Sequence, residues 1–254
     1  MVGAVALILP NVIGAMWIAP VQAVRARHRP TWFVERRGVF VGQGLRAATP
    51  AGLRALTADF LWLRANLSWE RRDLDATTEY LHLVAAMDPR PLVFWINGAR
   101  ILAYDLPAWR VAALAGRGPV PDGVRRRIGE DQAKRALAWL DEALRFHPDS
   151  PAIFIESANI CFNCLHDPIA AAAAYRRAAL QPEAPRYAAR LHAEMLRRAG
   201  RKAEALAWLV ALHPGLPREE EAAAADLVLA RIRELEAELG LPPEQRYREP
   251  ASRL

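Results

Sequence analysis

Three residue groups in this chain have types and spacings that raise the question of chemistry. Cys161 and Cys164 form the motif CFNC, with His166 two places beyond. A haem-attachment site needs histidine directly after the second cysteine, and Leu165 stands there instead. A redox CxxC belongs at a strand-to-helix turn, whereas this pair falls inside a helical pattern, and one cysteine pair supplies too few ligands for a closed zinc site. Both cysteines therefore read as small apolar packing residues. A redox or hydrolytic enzyme using Cys161 and Cys164 is the alternative. The second group is VFVGQGLRA, where Gly42, Gly44 and Ala47 mimic a dinucleotide-binding turn. That motif needs a second strand bearing an acidic residue about twenty positions on. A long helical pattern from Leu53 to Arg71 follows instead, so the stretch reads as a flexible link. None of the six histidines lies four residues from another, and no HExxH, Walker loop or GxSxG serine elbow occurs. The expectation is a chain that is not an enzyme and holds no metal or cofactor.

A third constellation is WINGARILAYD, Trp95–Asp105. Helical spacing brings Asn97, Arg100 and Tyr104 near one another in an otherwise apolar segment, as an active site, a binding surface or structural polar groups. Which of these applies depends on the elements that carry them. Beyond residue 50 the apolar residues follow helical periodicity and strictly alternating β-branched segments are almost absent, which predicts an all-α chain. A polar residue followed by proline recurs at Asp88-Pro89, His147-Pro148, Gln181-Pro182 and His213-Pro214, at intervals of 59, 34 and 32 residues.

Intervals near 34 closed by proline resemble the helix–turn–helix units of the tetratricopeptide repeat family. The residues agree. Thr77, Leu81 and Val84 precede Pro89, and Ala136, Leu140 and Ala143 precede Pro148, at the family's small, large and small positions. Ala170, Tyr175 and Ala178 precede Pro182 with a shift of about one residue, and Gly200, Ala205 and Leu209 lead to Pro214. The order of apolar N-terminus, ADFLWLRA, AAMDPR and a Phe-Trp helix running into LAYD also looks like small membrane-anchored bacterial proteins of this family. The resemblance implies a right-handed superhelical solenoid of about four helix hairpins over residues 53–217. Residues 106–129, rich in Gly and Pro, read as a loop inserted between a helix at Leu92–Asp105 and another at about Glu130–Phe146. Trp109 within it should dock back onto the core. Residues 218–254 read as a capping helix, about Arg218–Leu239, with Leu227, Ile232, Leu235 and Leu239 on one face, and a tail.

In this family the first helices of the repeats line a concave face. By register the resemblance assigns partner-binding positions to Asn66 and Glu70, to Arg100 and Tyr104, to Asn159 and Asn163, and to Arg190, Glu194 and Arg197. Asn and Arg there could hold a protein or peptide by backbone and carboxylate hydrogen bonds. The family's carboxylate clamp carries lysines that this set lacks. Asn97 falls outside these positions and reads as structural, while Trp95, Ile101 and Leu102 should pack.

Residues 2–24 contain no charged side chain and are long enough to cross a bilayer as a helix. Trp17 and the arginines that follow resemble interfacial anchors. Arg25, Arg27, Arg29, Arg36, Arg37, Arg46 and Arg54 face only Glu35 across residues 25–54, a basic juxtamembrane linker (25–52) able to attract anionic lipid. The expectation is a single-pass protein of the bacterial inner membrane, its orientation left open. The rivals are a signal segment cleaved after Val21-Gln22-Ala23, giving an exported periplasmic protein, and a buried helix of a soluble domain. Of the 34 basic side chains only Lys134 and Lys202 are lysines, a compositional bias that, with no basic stripe interleaved with aromatics, argues against nucleic acid as the origin of the +6 charge. The expected function is a non-catalytic scaffold holding a partner in the groove. A subunit held in an envelope complex by its convex face is a further alternative.

Overall fold

A computed structural model describes residues 44–217 and 224–249 of the 254-residue chain. The predicted span 2–24 and most of the basic linker lie outside the described residues. Among the described residues the fold is all-α, with no strand. We number the helices α1 (Arg54–Glu70), α2 (Leu74–Met87), α3 (Leu92–Arg100), α4 (Leu106–Ala115), α5 (Asp122–Ala143), α6 (Pro151–Asn163), α7 (Pro168–Ala179), α8 (Tyr187–Arg198), α9 (Lys202–Leu212) and α10 (Ala225–Glu238).

The helix ends follow local chemistry. Asp73 caps α2 by accepting the Ala76 N–H, and Asp167 caps α7 by accepting the N–H groups of Ile169 and Ala170. Pro151 and Pro168 open α6 and α7, where a missing N–H costs no helical bond. The α1–α2 and α8–α9 turns are alike. Arg72 and Gly200 adopt left-handed φ of 53° and 79°, and the next N–H in each returns to Ser68 O or Leu196 O. This closes the preceding helix with the same C-terminal motif in both hairpins.

Neighbours in sequence pack as neighbours in space. α1 lies on α2, α6 on α7, α7 on α8 and α8 on α9, while α5 rests against both α3 and α4, and α3 also reaches α6. Two large apolar clusters form the core, beside a small third one of Phe154, Ala178 and Ala188. The first joins α1–α5 with Ile153 and Ile160 of α6; the second joins Ala158 and Cys161 of α6 with α7–α10. α6 thus belongs to both. At the centre of the first, Trp95 Nε1 donates to Pro89 O at 2.8 Å and Trp139 Nε1 donates to Trp95 O at 2.9 Å, with the two rings 4.7 Å apart. Trp95, Ile101 and Leu102 are all buried, as expected.

The loop expected at 106–129 is corrected. Residues 92–115 run without a break, α3 passing through a π turn at Ile101–Asp105 into α4, and α5 begins at Asp122, well before Glu130. Only residues 116–121 connect α4 to α5. Pro107 marks the reason. It has no N–H to return to Ala103, four residues back, and its ring would crowd that carbonyl in a regular helix. The wider π turn makes room, and the Cys164 thiol points at Ala103 O from 3.8 Å. Trp109, now on α4, does pack on the core, its ring 6.5 Å from Trp69.

At the other end α10 packs on α9 through Val228, Ile232 and Leu235. Leu227, expected on that face, is 67% exposed; Val228 takes its place, one residue on. Residues 218–223, expected as the helix start, lie outside the described residues.

Candidate functional site

Glu156 is the only charged side chain of α6, PAIFIESANICFN, and it faces inward: 4% of its side chain is exposed. Arg100, at the end of α3, donates to Glu156 Oε2 through Nε and Nη2 at 3.0 and 2.9 Å. That bond holds the guanidinium's pKa above its ordinary value. The two residues are 56 positions apart in sequence and meet where α3 packs against α6.

Tyr104, Asn159 and Asn163 gather around this pair. Tyr104 leaves the π turn with 37% of its surface exposed. Burial of the rest raises its hydroxyl pKa, and a hydrogen bond with Asn163 opposes the rise. Asn159 Oδ1 accepts the hydroxyl of Tyr175 on α7 at 2.6 Å, and burial raises that phenol as well. Asn159 is therefore half-buried and held, while Asn163, one turn on, is exposed. An extra residue in the π turn swings Tyr104 toward Asn163 and Asp105 toward α1, where Asp105 Oδ2 accepts Trp69 Nε1–H at 2.8 Å.

A second group lies on α8. Glu194 accepts from Arg197 at 3.0 and 2.8 Å and from Arg198 at 2.8 Å, with Arg231 of α10 at 3.9 Å. The hydrogen bonds from Arg197, then Arg198, pull the Glu194 carboxyl down to about 2, against the opposing effect of its partial burial. Arg190 and Glu194 line one wall of a cleft of about 300 Å³; Val228, Arg231 and Glu234 of α10 form the other.

The structure thus brings Arg100, Tyr104, Asn159 and Asn163 together and places Arg190, Glu194 and Arg197 in a separate patch. Asn66 and Glu70 lie on α1, and among the described residues no hydrogen bond or ion pair joins them to either group. Sequence reasoning missed Glu156 and the polar role of Tyr175. Glu156 had a signal: it precedes Asn159 by three residues and Asn163 by seven, on one helical face, as a lone charge among apolar residues. Tyr175 had none, because its position also fits a packing aromatic.

Cys161 and Cys164 are free thiols, the first buried and the second half-buried. Burial raises both thiol pKa values, which lowers the thiolate fraction that nucleophilic or metal chemistry requires. Among the described residues no group of three His, Cys, Asp or Glu side chains could hold a metal ion, and no helix is long and apolar enough to cross a membrane. Comparison with protein-family models, with curated proteins and with solved structures finds no match to this chain.

Proposed function

We propose that the chain is a tetratricopeptide-like right-handed solenoid, anchored in a bacterial inner membrane through residues 2–24, that holds a protein partner without catalysing a reaction. Sequential packing of α1–α2, α6–α7 and α8–α9, with matching turns at Arg72 and Gly200, supports the repeat reading. One observation carries the binding site. Residues from α3, the π turn and α6 converge on a buried carboxylate and leave Tyr104 partly exposed and Asn163 exposed. Arg100 is already paired with Glu156, so the face offers neutral donors and acceptors rather than a free cation. It suits a peptide backbone better than a terminal carboxylate. Arg100 and Asn159 then act as positioning residues, and Tyr104 and Asn163 as contacts.

The test is photocrosslinking of the full-length protein in its native membrane, with a benzophenone amino acid at position 163 or, as control, at the exposed Leu180 of the α7 end. The expected result is one defined protein adduct from position 163, lost on Tyr104→Ala, and none from 180. Equal adducts from 180, or none from 163, would place the partner on the other face and sink the proposal.

A further inference from the structure

α1 and the Leu53 that precedes it carry an apolar ridge that no described residue covers. Leu53 is 50% exposed, Leu56 66%, Phe60 58% and Leu63 65%, while the opposite side of the helix buries Ala58, Leu61 and Ala65 against α2. The spacing of the ridge is 3, 4 and 3 residues, continued by the half-exposed Leu67. This is the spacing of a two-stranded coiled-coil seam over about two heptads, with Leu53 and Phe60 at first positions and Leu56 and Leu63 at fourth. Elsewhere the exposed large apolar side chains are scattered along other elements. At the far end α10 exposes Asp226, Arg233 and Glu238 with a single large apolar side chain, Leu227, among them. At the α1 end the outer face is apolar.

We infer that the α1 ridge is a homodimer seam, in which two copies of this chain pair their α1 helices in parallel. Charge selects the occupant and its direction. Asp59 and Arg64 flank the ridge on opposite sides, five residues apart, the offset at which a parallel pair sets each acidic flank against the basic flank of its partner. Among the described residues Asp59 has no ion-pair partner within its own chain, and Arg64 lies loosely over the Tyr80 ring at 5.9 Å. An antiparallel pair would set like charges together. Parallel pairing also enters from one side, as two copies anchored in one membrane must; this last support rests on the anchor proposed above, whereas the seam and the charges do not.

At about 200 Å² for a fully exposed large apolar side chain, the four residues offer roughly 500 Å² per copy. The total sits at the low edge of specific interfaces. Such a seam holds weakly in dilute solution and firmly when both copies share a membrane, because co-anchoring raises their effective concentration.

The experiment uses the full-length protein in native membranes with Leu56→Cys and a mild oxidant. Facing fourth positions of a parallel pair lie within disulfide reach, so a disulfide-linked dimer should form rapidly; Leu180→Cys, equally exposed, should not form one. Asp59→Arg should cut the yield roughly tenfold, since it replaces two attractive cross-pairs with two repulsive ones, and adding Arg64→Asp should restore it. Both charge variants lie on the surface, and circular dichroism checks that they fold. Leu56→Cys crosslinking no faster than Leu180→Cys would overturn the proposal. So would crosslinks that appear only when Leu56→Cys and Phe60→Cys chains are mixed, which is the antiparallel outcome, or a charge swap that fails to rescue. If fractionation finds the chain soluble, the anchor fails, and rescue by the swap still supports the seam.

Discussion

The pair Arg100–Glu156 joins α3 to α6, and its two ends are unlike. Glu156 is 4% exposed and Arg100 56%, so removing the arginine strands a carboxylate in the interior, while removing the carboxylate frees an arginine at the surface. Breaking a fully buried pair by deleting one partner costs about 3–5 kcal/mol, and an exposed pair is worth about 0.2–1 kcal/mol. The open arginine end lets water reach the pair, which puts Arg100→Met between these limits, at about 2 kcal/mol. Glu156→Gln keeps the shape and an acceptor while removing the charge; in that background Arg100→Met should cost only about 0.5 kcal/mol. The coupling between the two sites is then about 1.5 kcal/mol. Urea unfolding of the four variants, followed by circular dichroism, measures each term. For a fold of this size the Arg100→Met midpoint should also drop by roughly 4–8 °C. An Arg100→Met variant within 0.5 kcal/mol of the parent, or strict additivity of the two substitutions, would refute the claim that a buried charge holds α3 to α6.

Three further outcomes follow from side chains described above or beside them. Glu194 has its carboxyl lowered to about 2, so the unfolded chain takes up a proton there first; the stability it contributes, about 2 kcal/mol, is complete above pH 5 and lost as pH falls toward 2, and Arg197→Ala should flatten that slope in acid unfolding curves. His82 packs edge-on against Trp139 at 5.2 Å, and burial lowers its pKa to about 4. The folded chain holds it neutral while the unfolded chain protonates it below 6.5, so stability is full above that value and falls as pH drops toward 4, by about 2 kcal/mol at pH 5. His82→Phe should remove this part of the pH 5 to 7.5 difference, and an unchanged difference would disprove it. At Gly98 an added Cβ would meet the Trp139 indole at 3.0 Å, a ring already pinned by its bond to Trp95 O. Despite a helix-propensity gain of about 1 kcal/mol, Gly98→Ala should destabilise the fold by about 1 kcal/mol net, read by the same urea assay.

Much of the architecture was legible because it rests on periodic apolar residues. The positions read as packing, such as Leu81, Val84, Ala136, Leu140, Ala143 and Ala205, are buried, and the all-helical class follows from them. The misreading at 106–129 came from taking its Gly and Pro content as the mark of a loop, when a π turn before Pro107 absorbs the missing bond. Gly116, Gly118, Pro119 and Pro121 did mark the connection between α4 and α5, only over six residues rather than twenty-four. The candidate site was half legible. Helical register singled out Arg100, Tyr104, Asn159 and Asn163, but register cannot tell a free arginine from one bonded to a residue 56 positions away. Asn159 likewise read as a contact residue because nothing local reveals Tyr175 across the helix pair.

Because α6 completes the first apolar cluster with Ile153 and Ile160, the order of synthesis has a consequence. On a ribosome, α1–α5 emerge with their shared interior still open on one side, and it closes only when residues up to about 160 have left the exit tunnel. The early hairpins therefore wait as a partly assembled intermediate rather than folding unit by unit. The same helix then presents Ala158 and Cys161 as the template on which α7–α10 assemble. A nascent chain arrested before residue 150 should remain protease-sensitive throughout, and one arrested well beyond it should become resistant over α1–α6 in a single step.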